Sequence, residues 1–361
     1  MRENRVMREN QIMREDWERQ EDLIDLSKTE IATLLHQVFP GTAIESIAAA
    51  KGGKANTNLK VVLAAPVGPV LLRLFVRDPA AGAKEVAILQ RLAGQVPVPQ
   101  VHGFAPDNAV TGHPYAILDW VEGRRMDLAL SAARSQLERR QMAAAVGEAL
   151  ARIGTLTFPQ AGFLSGDLPS GDLPSGDLTV SQSFATGAAG FRSFVAEATG
   201  RPRVAQRLDP ALRDDLLRFV EDVAAVLDGP PEPARLTHCD YDPSNILLGR
   251  GDAGWRVAAV LDWEFAVAAT PLLDLGHMLR APQGQDPLFV TALGQGYRAG
   301  GGILPENWVA AAKLLDLLAW LDFLDRPGER PRLFADAQSV IRATIDTWPA
   351  LLAQTDPGPR R

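Results

Sequence analysis

A chain of 361 residues with a hydrophobic share of 46% is too long for one small core and too short for three, which favours a single two-lobed globular unit. Its net charge of −7, with both signs scattered, offers no broad cationic face for a nucleic-acid backbone or an anionic membrane. One cysteine, Cys239, excludes an intrachain disulfide and argues against a thiolate-built zinc site.

The first residues, MRENRVMRENQIMRED, repeat every six positions and lack the apolar core of a signal peptide; no later run reaches about 18 apolar residues. These features lead to the expectation of a cytoplasmic protein with a charged arm over residues 1–26, either a frayed solvated helix or disordered. A helix is predicted from Ser27, where Ser27 and Glu30 form a capping box ahead of Ile31, Leu34, Leu35 and Val38.

Residues 27–122 read as a strand-rich lobe. KGGKANTNLKVVLA predicts strand, turn and strand; GPVLLRLFV a further strand; KEVAILQRL a helix; VPVPQVHGF a Pro-punctuated connection; and HPYAILDWVEG a strand entering a turn. From 123 to 355 helical periodicity dominates, in LERRQMAAAVGEALARI, PALRDDLLRFVEDVAAVL, PENWVAAAKLLDLLAWLDFL and LFADAQSVIRATIDTWPALL. Two short strands, NILLG and WRVAAVLDW, interrupt the helices, and residues 356–361 form a tail. The segment SGDLPSGDLPSGDL, residues 165–178, carries Gly and Pro in each unit and predicts a loop, either a plain surface excursion or a lid bearing Asp167, Asp172 and Asp177.

The chemistry concentrates in LTHCDYDPSNILL and VAAVLDWEFA. His238, Asp240 and Asn245 stand at H-x-D-x-x-x-x-N spacing, and Asp262 leaves the following apolar strand. Phosphoryl transfer asks a protein for an oriented carboxylate, a held cation and charge compensation. A loop between strands can aim Asp240 at an incoming hydroxyl, while Asn245 and Asp262 offer hard oxygens to Mg²⁺, whose remaining ligands are phosphates and water. Arg73, flanked by apolar residues in LLRLF, needs a counter-charge, and Glu85 on the next helix supplies one.

HCDYDPSN, LDWEFA and PLLDL together resemble the motifs of the aminoglycoside phosphotransferase family, which also contains choline, homoserine, methylthioribose and macrolide kinases. The resemblance runs in motif order from about Gly52 to Asp274. It implies an α+β, bilobal protein-kinase-like fold: a small antiparallel N-lobe sheet with one main helix, and a mostly helical C-lobe holding the catalytic loop and a metal-binding hairpin. It implies ATP and Mg²⁺ as cofactors, Asp240 as base and Asn245 and Asp262 as metal ligands.

By the same resemblance Arg73 takes the place of the phosphate-binding cation with Glu85 as its helix partner, where many relatives carry lysine. Gly52 and Gly53 take the place of a phosphate-approaching turn, with Asn56, Thr57 and Asn58 as short polar donors, for which an ordinary hairpin is the alternative. Asp119 and Val121 occupy the adenine-binding hinge, and Asp274 braces the catalytic loop, in which His238 is a packed structural residue. Cys239 stands where glycine is usual, and Ala269-Thr270 where Gly-Asp is usual.

The implied acceptor is a small hydroxylated molecule on the helical lobe. Asp316 and Trp320, four apart on one helix face, are candidates to contact it; the alternative is an amphipathic helix with ordinary exposed acids. From Arg280 onward acids and bases roughly balance, which disfavours a polycationic acceptor specifically. A nucleotide-binding module without catalysis is the other reading, and the eleven residues between Asp262 and Asp274 are too few for a protein kinase's peptide-docking segment.

Overall fold

The computed structural model describes residues 24–50, 56–167, 177–230, 232–252 and 254–353, Asp167 through its backbone alone. Expectations for the arm up to residue 23, for Gly52 and Gly53, for Asp172 and for the tail lie outside these residues.

The Ser27 hydroxyl accepts the Glu30 N–H while the Glu30 carboxylate accepts the Ser27 N–H, and this reciprocal cap opens α1 (Lys28–Leu35). Its residues Ile31, Leu34 and Leu35 pack on alternate residues of an antiparallel sheet, including Val61, Leu63, Leu72 and Leu74. That sheet comprises β1 (Ile44–Ala49), β2 (Thr57–Leu63), β3 (Gly68–Leu74), β4 (Val101–Ala105) and β5 (Tyr115–Asp119), in the order β1-β2-β3-β5-β4. Between β3 and β4, α2 (Ala81–Leu92) joins the main core with Phe75, Ala116 and Leu118. The Pro-punctuated stretch expected as a connection supplies β4 instead. Pro97 and Pro99 precede the strand, so Val101–Ala105 keeps its N–H groups for pairing with β5.

The second lobe runs through β6 (Arg124–Arg125), α3 (Met126–Ser131), α4 (Gln136–Ile153), β7 (Thr157–Phe158), β8 (Gly162–Asp167), β9 (Asp177–Ser183), α5 (Gly187–Gly200), α6 (Pro202–Arg207) and α7 (Pro210–Val223). It continues with β10 (Ala234–Thr237), β11 (Ile246–Gly251), β12 (Gly254–Val260), β13 (Val267–Ala269), α8 (Leu272–Met278), α9 (Pro287–Ala299), α10 (Trp308–Asp325) and α11 (Pro331–Ala353). Two small sheets, β7-β10-β13-β8-β9 and β12-β11-β6, frame the segment between β10 and β11.

The ends of the SGDLP segment are paired strand rather than loop: Ser165 opposes Thr179 and Asp167 opposes Asp177. Gly and Pro in each unit exclude helix, but an extended backbone still forms a ladder at its ends. This hairpin lies on α2 at Gly166, where a Cβ would stand 2.7 Å from the Ala83 carbonyl oxygen.

Helices α4 and α9 approach backbone to backbone, since a Cβ at Gly147 would meet the Leu293 carbonyl oxygen at 2.2 Å and one at Gly296 the Ala144 oxygen at 2.0 Å. The contact carries the site, because the buried Tyr241 hydroxyl donates to the Val146 carbonyl of α4 at 2.8 Å. Further along, α10 buries 13 of its 18 residues and has no wide solvent face.

Candidate active site

The segment His238–Asn245 is held from beneath by a buried carboxylate. Asp274, in the first turn of α8 and 0% exposed, accepts the His238 N–H on Oδ2 and the Cys239 N–H on Oδ1, both at 2.8 Å. Burial pushes its pKa up to about 7 against the lowering effect of those two N–H donors.

His238 is enclosed, and both its ring nitrogens are engaged. Nδ1 lies 3.2 Å from the Asp240 N–H that donates to it, so Nε2 carries the proton toward the Leu261 carbonyl at 2.9 Å. Burial lowers its pKa, and the neutral ring packs 4.5 Å from the Trp263 ring. It thereby couples the loop to the residues flanking Asp262. Neither Cys239 nor His238 is placed for nucleophilic chemistry, since burial holds the Cys239 thiol well above its ordinary pKa.

Beyond Asp240, Asp242 caps a short 3₁₀ turn over Pro243–Asn245, its Oδ1 accepting the Ser244 N–H at 2.9 Å. The turn delivers Asn245 to the head of β11, where its carbonyl accepts the Leu261 N–H at 2.9 Å. Its Nδ2 donates to the Asp240 backbone oxygen at 2.9 Å and to Asp240 Oδ2 at 2.8 Å. The amide's donor end thus orients Asp240, and its Oδ1 remains an acceptor.

Asp262 follows β12 with φ of +67°, a turn that throws its carboxylate toward the N-lobe. There Arg73 Nη2 reaches Asp262 Oδ1 at 2.6 Å and Glu85 Oε2 at 2.9 Å. Burial alone would lower the Arg73 pKa, but Glu85, Asp262 and Glu264 together raise it above its ordinary value. Burial pushes Glu85 up to about 7 despite the guanidinium. The Arg73 Nε has no hydrogen-bond partner among the described residues.

Arg73, Glu85, Asn245 and Asp262 line one wall of a cavity of about 240 Å³ between the lobes. Leu71, Leu89, Leu118 and Leu247 make its apolar part, and Asp119, Trp120 and Val121 its rim. The Asp119 N–H is spent on the Gln100 carbonyl at 2.9 Å and is not available to a ligand.

Several expected positions fall elsewhere. Thr57 is 1% exposed and its hydroxyl accepts the Ile24 N–H at 3.0 Å, while Asn56 accepts the Val76 N–H at 3.2 Å and donates to Glu264 at 3.3 Å. Neither lines the cavity; Asn58 does, because it sits opposite Arg73 in the β2–β3 register and shares its face.

Asp316 and Trp320 are also displaced from any acceptor role. They are 1% and 0% exposed, with the Trp320 Nε1 donating to Asp316 Oδ2 at 2.8 Å and Arg280 Nη2 at 2.7 Å from Asp316 Oδ1. An all-round apolar helix buries whatever acid it carries. Burial would raise the Asp316 pKa, but Arg280, His277 and Lys313 hold it below the usual value.

Sequence reasoning passed over a second contact between the lobes. Glu264, 7% exposed, lies 2.5 Å from Arg77 Nη2, and Lys84 Nζ donates to the carbonyls of Glu264 at 2.7 Å and Ala266 at 3.3 Å. The signal was present in DWEFA, where an acid inside a buried apolar run requires a partner. Arg326, at the end of α10, was missed because a lone arginine after a helix has no local signature.

A model of the APH phosphotransferase enzyme family matches residues 46–314. No curated protein sequence matches the chain. Among solved structures, the GDP and kanamycin complex of APH(2")-IIIa aligns with a TM-score of 0.59 at 16% identity, over 90% of this chain and 99% of that one. A Ralstonia eutropha protein assigned to the aminoglycoside phosphotransferases gives 0.58 at 18% identity, over 92% and 99%. The ternary complex of a thermostable APH(4)-Ia mutant with AMP-PNP and hygromycin B gives 0.57 at 16% identity, over 88% and 98%. At these identities the likeness is one of fold, and that fold is the bilobal protein-kinase-like α+β arrangement.

Proposed function

Because the chain belongs to the APH phosphotransferase enzyme family, we propose that it is an ATP-dependent small-molecule kinase with Asp240 as base and Asn245 and Asp262 as magnesium ligands. The observation that carries this reading is one connected set of contacts: Glu85 to Arg73 to Asp262 on the cavity wall, and Asn245 to Asp240 beside it.

Each part has a physical task. Asp240, oriented by the Asn245 amide and by the His238 ring beneath its N–H, takes the proton of the acceptor hydroxyl as that oxygen attacks the γ-phosphorus. Arg73 compensates phosphate charge; its planar fork grips oxygens in pairs, which lysine cannot do. Asp119 and Val121 present backbone groups at the cavity rim for adenine, with Leu71, Leu118 and Leu247 against the ring.

The donor set fits a hard divalent cation, with one carboxylate from Asp262 and one amide oxygen from Asn245. Among the described residues no group of three or more His, Cys, Asp or Glu gathers as a metal cage, which suits an ion that draws most ligands from phosphates and water. When bound, magnesium neutralises charge building on the transferred phosphoryl group.

An ATP-consumption screen over sugars, amino alcohols, hydroxy acids and antibiotics tests the proposal. Acceptor-dependent turnover that disappears in Asp240→Ala, with ATP binding retained, is the expected result. Nucleotide binding without any Asp240-dependent turnover would favour a catalytically idle module.

A further inference from the structure

Just past Asp262 in the sequence begins a group of side chains to which the phosphate clamp gives no role. Phe265, three residues past Asp262, has two guanidinium groups near its ring, with Arg77 Cζ 4.7 Å and Arg326 Cζ 6.0 Å from the ring centroid. Arg326 is also 4.5 Å from the Phe323 ring. Arg77 is neutralised by Glu264 at 2.5 Å.

Arg326 has no such relief. It is half-buried, and among the described residues no carboxylate comes within 4.0 Å of its guanidinium. Burial, with the neighbouring cations Arg77 and Arg330, lowers its pKa, and Asp322 and Asp240 offset this only in part. A cation stacked on aromatic faces but short of a counter-ion keeps its in-plane N–H edge available, and that edge matches the two oxygens of a carboxylate. Asp322 and Asp240 set a ceiling on the ligand's charge, since a dianion beside both would be repelled. A polycation would be repelled by Arg326 itself.

We propose that the acceptor is a hydroxylated monocarboxylate, its carboxylate gripped by Arg326 over Phe323 and Phe265 and its hydroxyl directed to Asp240. This inference rests on the kinase reading for the role of Asp240, but the carboxylate grip is testable without turnover. Arg326 also lies outside the nucleotide cavity, so the two sites are separable.

The test uses acceptor pairs that differ only in the charged group, D-gluconate against sorbitol and D-glycerate against glycerol, with kanamycin as a polycation, all at matched ionic strength. Thermal shift and ATP consumption are read for the wild type, Arg326→Ala and Arg326→Lys. The expected result is a thermal shift with a hydroxy acid and not with its neutral partner, weakened at least tenfold in concentration dependence by Arg326→Ala and partly restored in Arg326→Lys. Equal binding by neutral partners, preference for kanamycin, hydroxy-acid binding unchanged in Arg326→Ala, or no binding by any hydroxy acid would each overturn the inference. Asp240-dependent phosphorylation of a neutral or cationic acceptor would overturn it while leaving the kinase reading intact. Arg326-dependent binding without any ATP consumption would do the reverse.

Discussion

Cys239 and Asp262 are the two non-glycine residues, among those described, with positive φ, at 59° and 67°, and they flank the proposed chemistry on either side. A left-handed conformation costs an L-residue about 1–2 kcal/mol, and here two N–H bonds to Asp274 and the Arg73 contact hold it in place. Cys239→Gly is expected to leave stability within about 1 kcal/mol of wild type and to keep activity, since glycine adopts this φ freely. Cys239→Val, β-branched at the same φ, should cost about 2 kcal/mol or more and lower turnover. Denaturant unfolding and kcat for the two variants check this, and a well-tolerated valine would argue against strain at this position.

Glu264 gives a pH prediction at the same scale. Burial and the neighbouring Asp262 push its pKa up to about 7 in spite of Arg77, whereas in the unfolded chain it titrates near 4.5. A raised carboxyl pKa contributes stability that is complete below the unfolded value and is lost as pH rises through about 7. Across that window the loss is about 1.4 kcal/mol per pH unit for one fully shifted group. Melting temperature between pH 5 and 8 should therefore fall more steeply for wild type than for Glu264→Gln; parallel curves would show that Glu264 does not carry the effect.

At the scale of elements, α10 shows where sequence pattern and burial part company. Asp316 and Trp320 at four-residue spacing suggest a ligand face, yet this helix is enclosed on nearly all sides and the pair closes on Arg280 instead. Removing one member of such a buried pair strands the other, at a cost of about 3–5 kcal/mol. Asp316→Ala should lose that much in urea unfolding; a raised acceptor KM with stability unchanged would instead return Asp316 to the substrate.

The capping box at Ser27, the helix over α2 and the β11–β12 hairpin were legible because each is set by neighbours a few residues apart. The sheet β7-β10-β13-β8-β9 was not: several of its strands are two to four residues long, too short for alternation to register, and their pairing partners lie far along the chain. Likewise Asp240, Asn245 and Asp262 could be picked out by local spacing, whereas Glu264 and Lys84 find their partners only where the lobes meet, and Arg326 meets Phe265 only through the fold of the second lobe.

For the whole molecule, the polar side-chain contacts between the lobes include one set through Arg73 and Asp262 and another through Asn56, Arg77, Lys84 and the segment Glu264–Ala266. The first borders the cavity, and the second joins α2 and the residues after β3 to the segment that follows Asp262. Among the described residues no helix is long and apolar enough to cross a membrane.

In the proposed reaction Asp240 acts on an acceptor hydroxyl while Asn245 and Asp262 manage the phosphates. Acceptor-dependent ATP turnover in Asp240→Asn, measured beside nucleotide affinity by calorimetry, tests it most directly. The expected result is a fall in kcat of about 10²-fold or more with nucleotide affinity within a few-fold of wild type. Turnover unchanged by the substitution would contradict it.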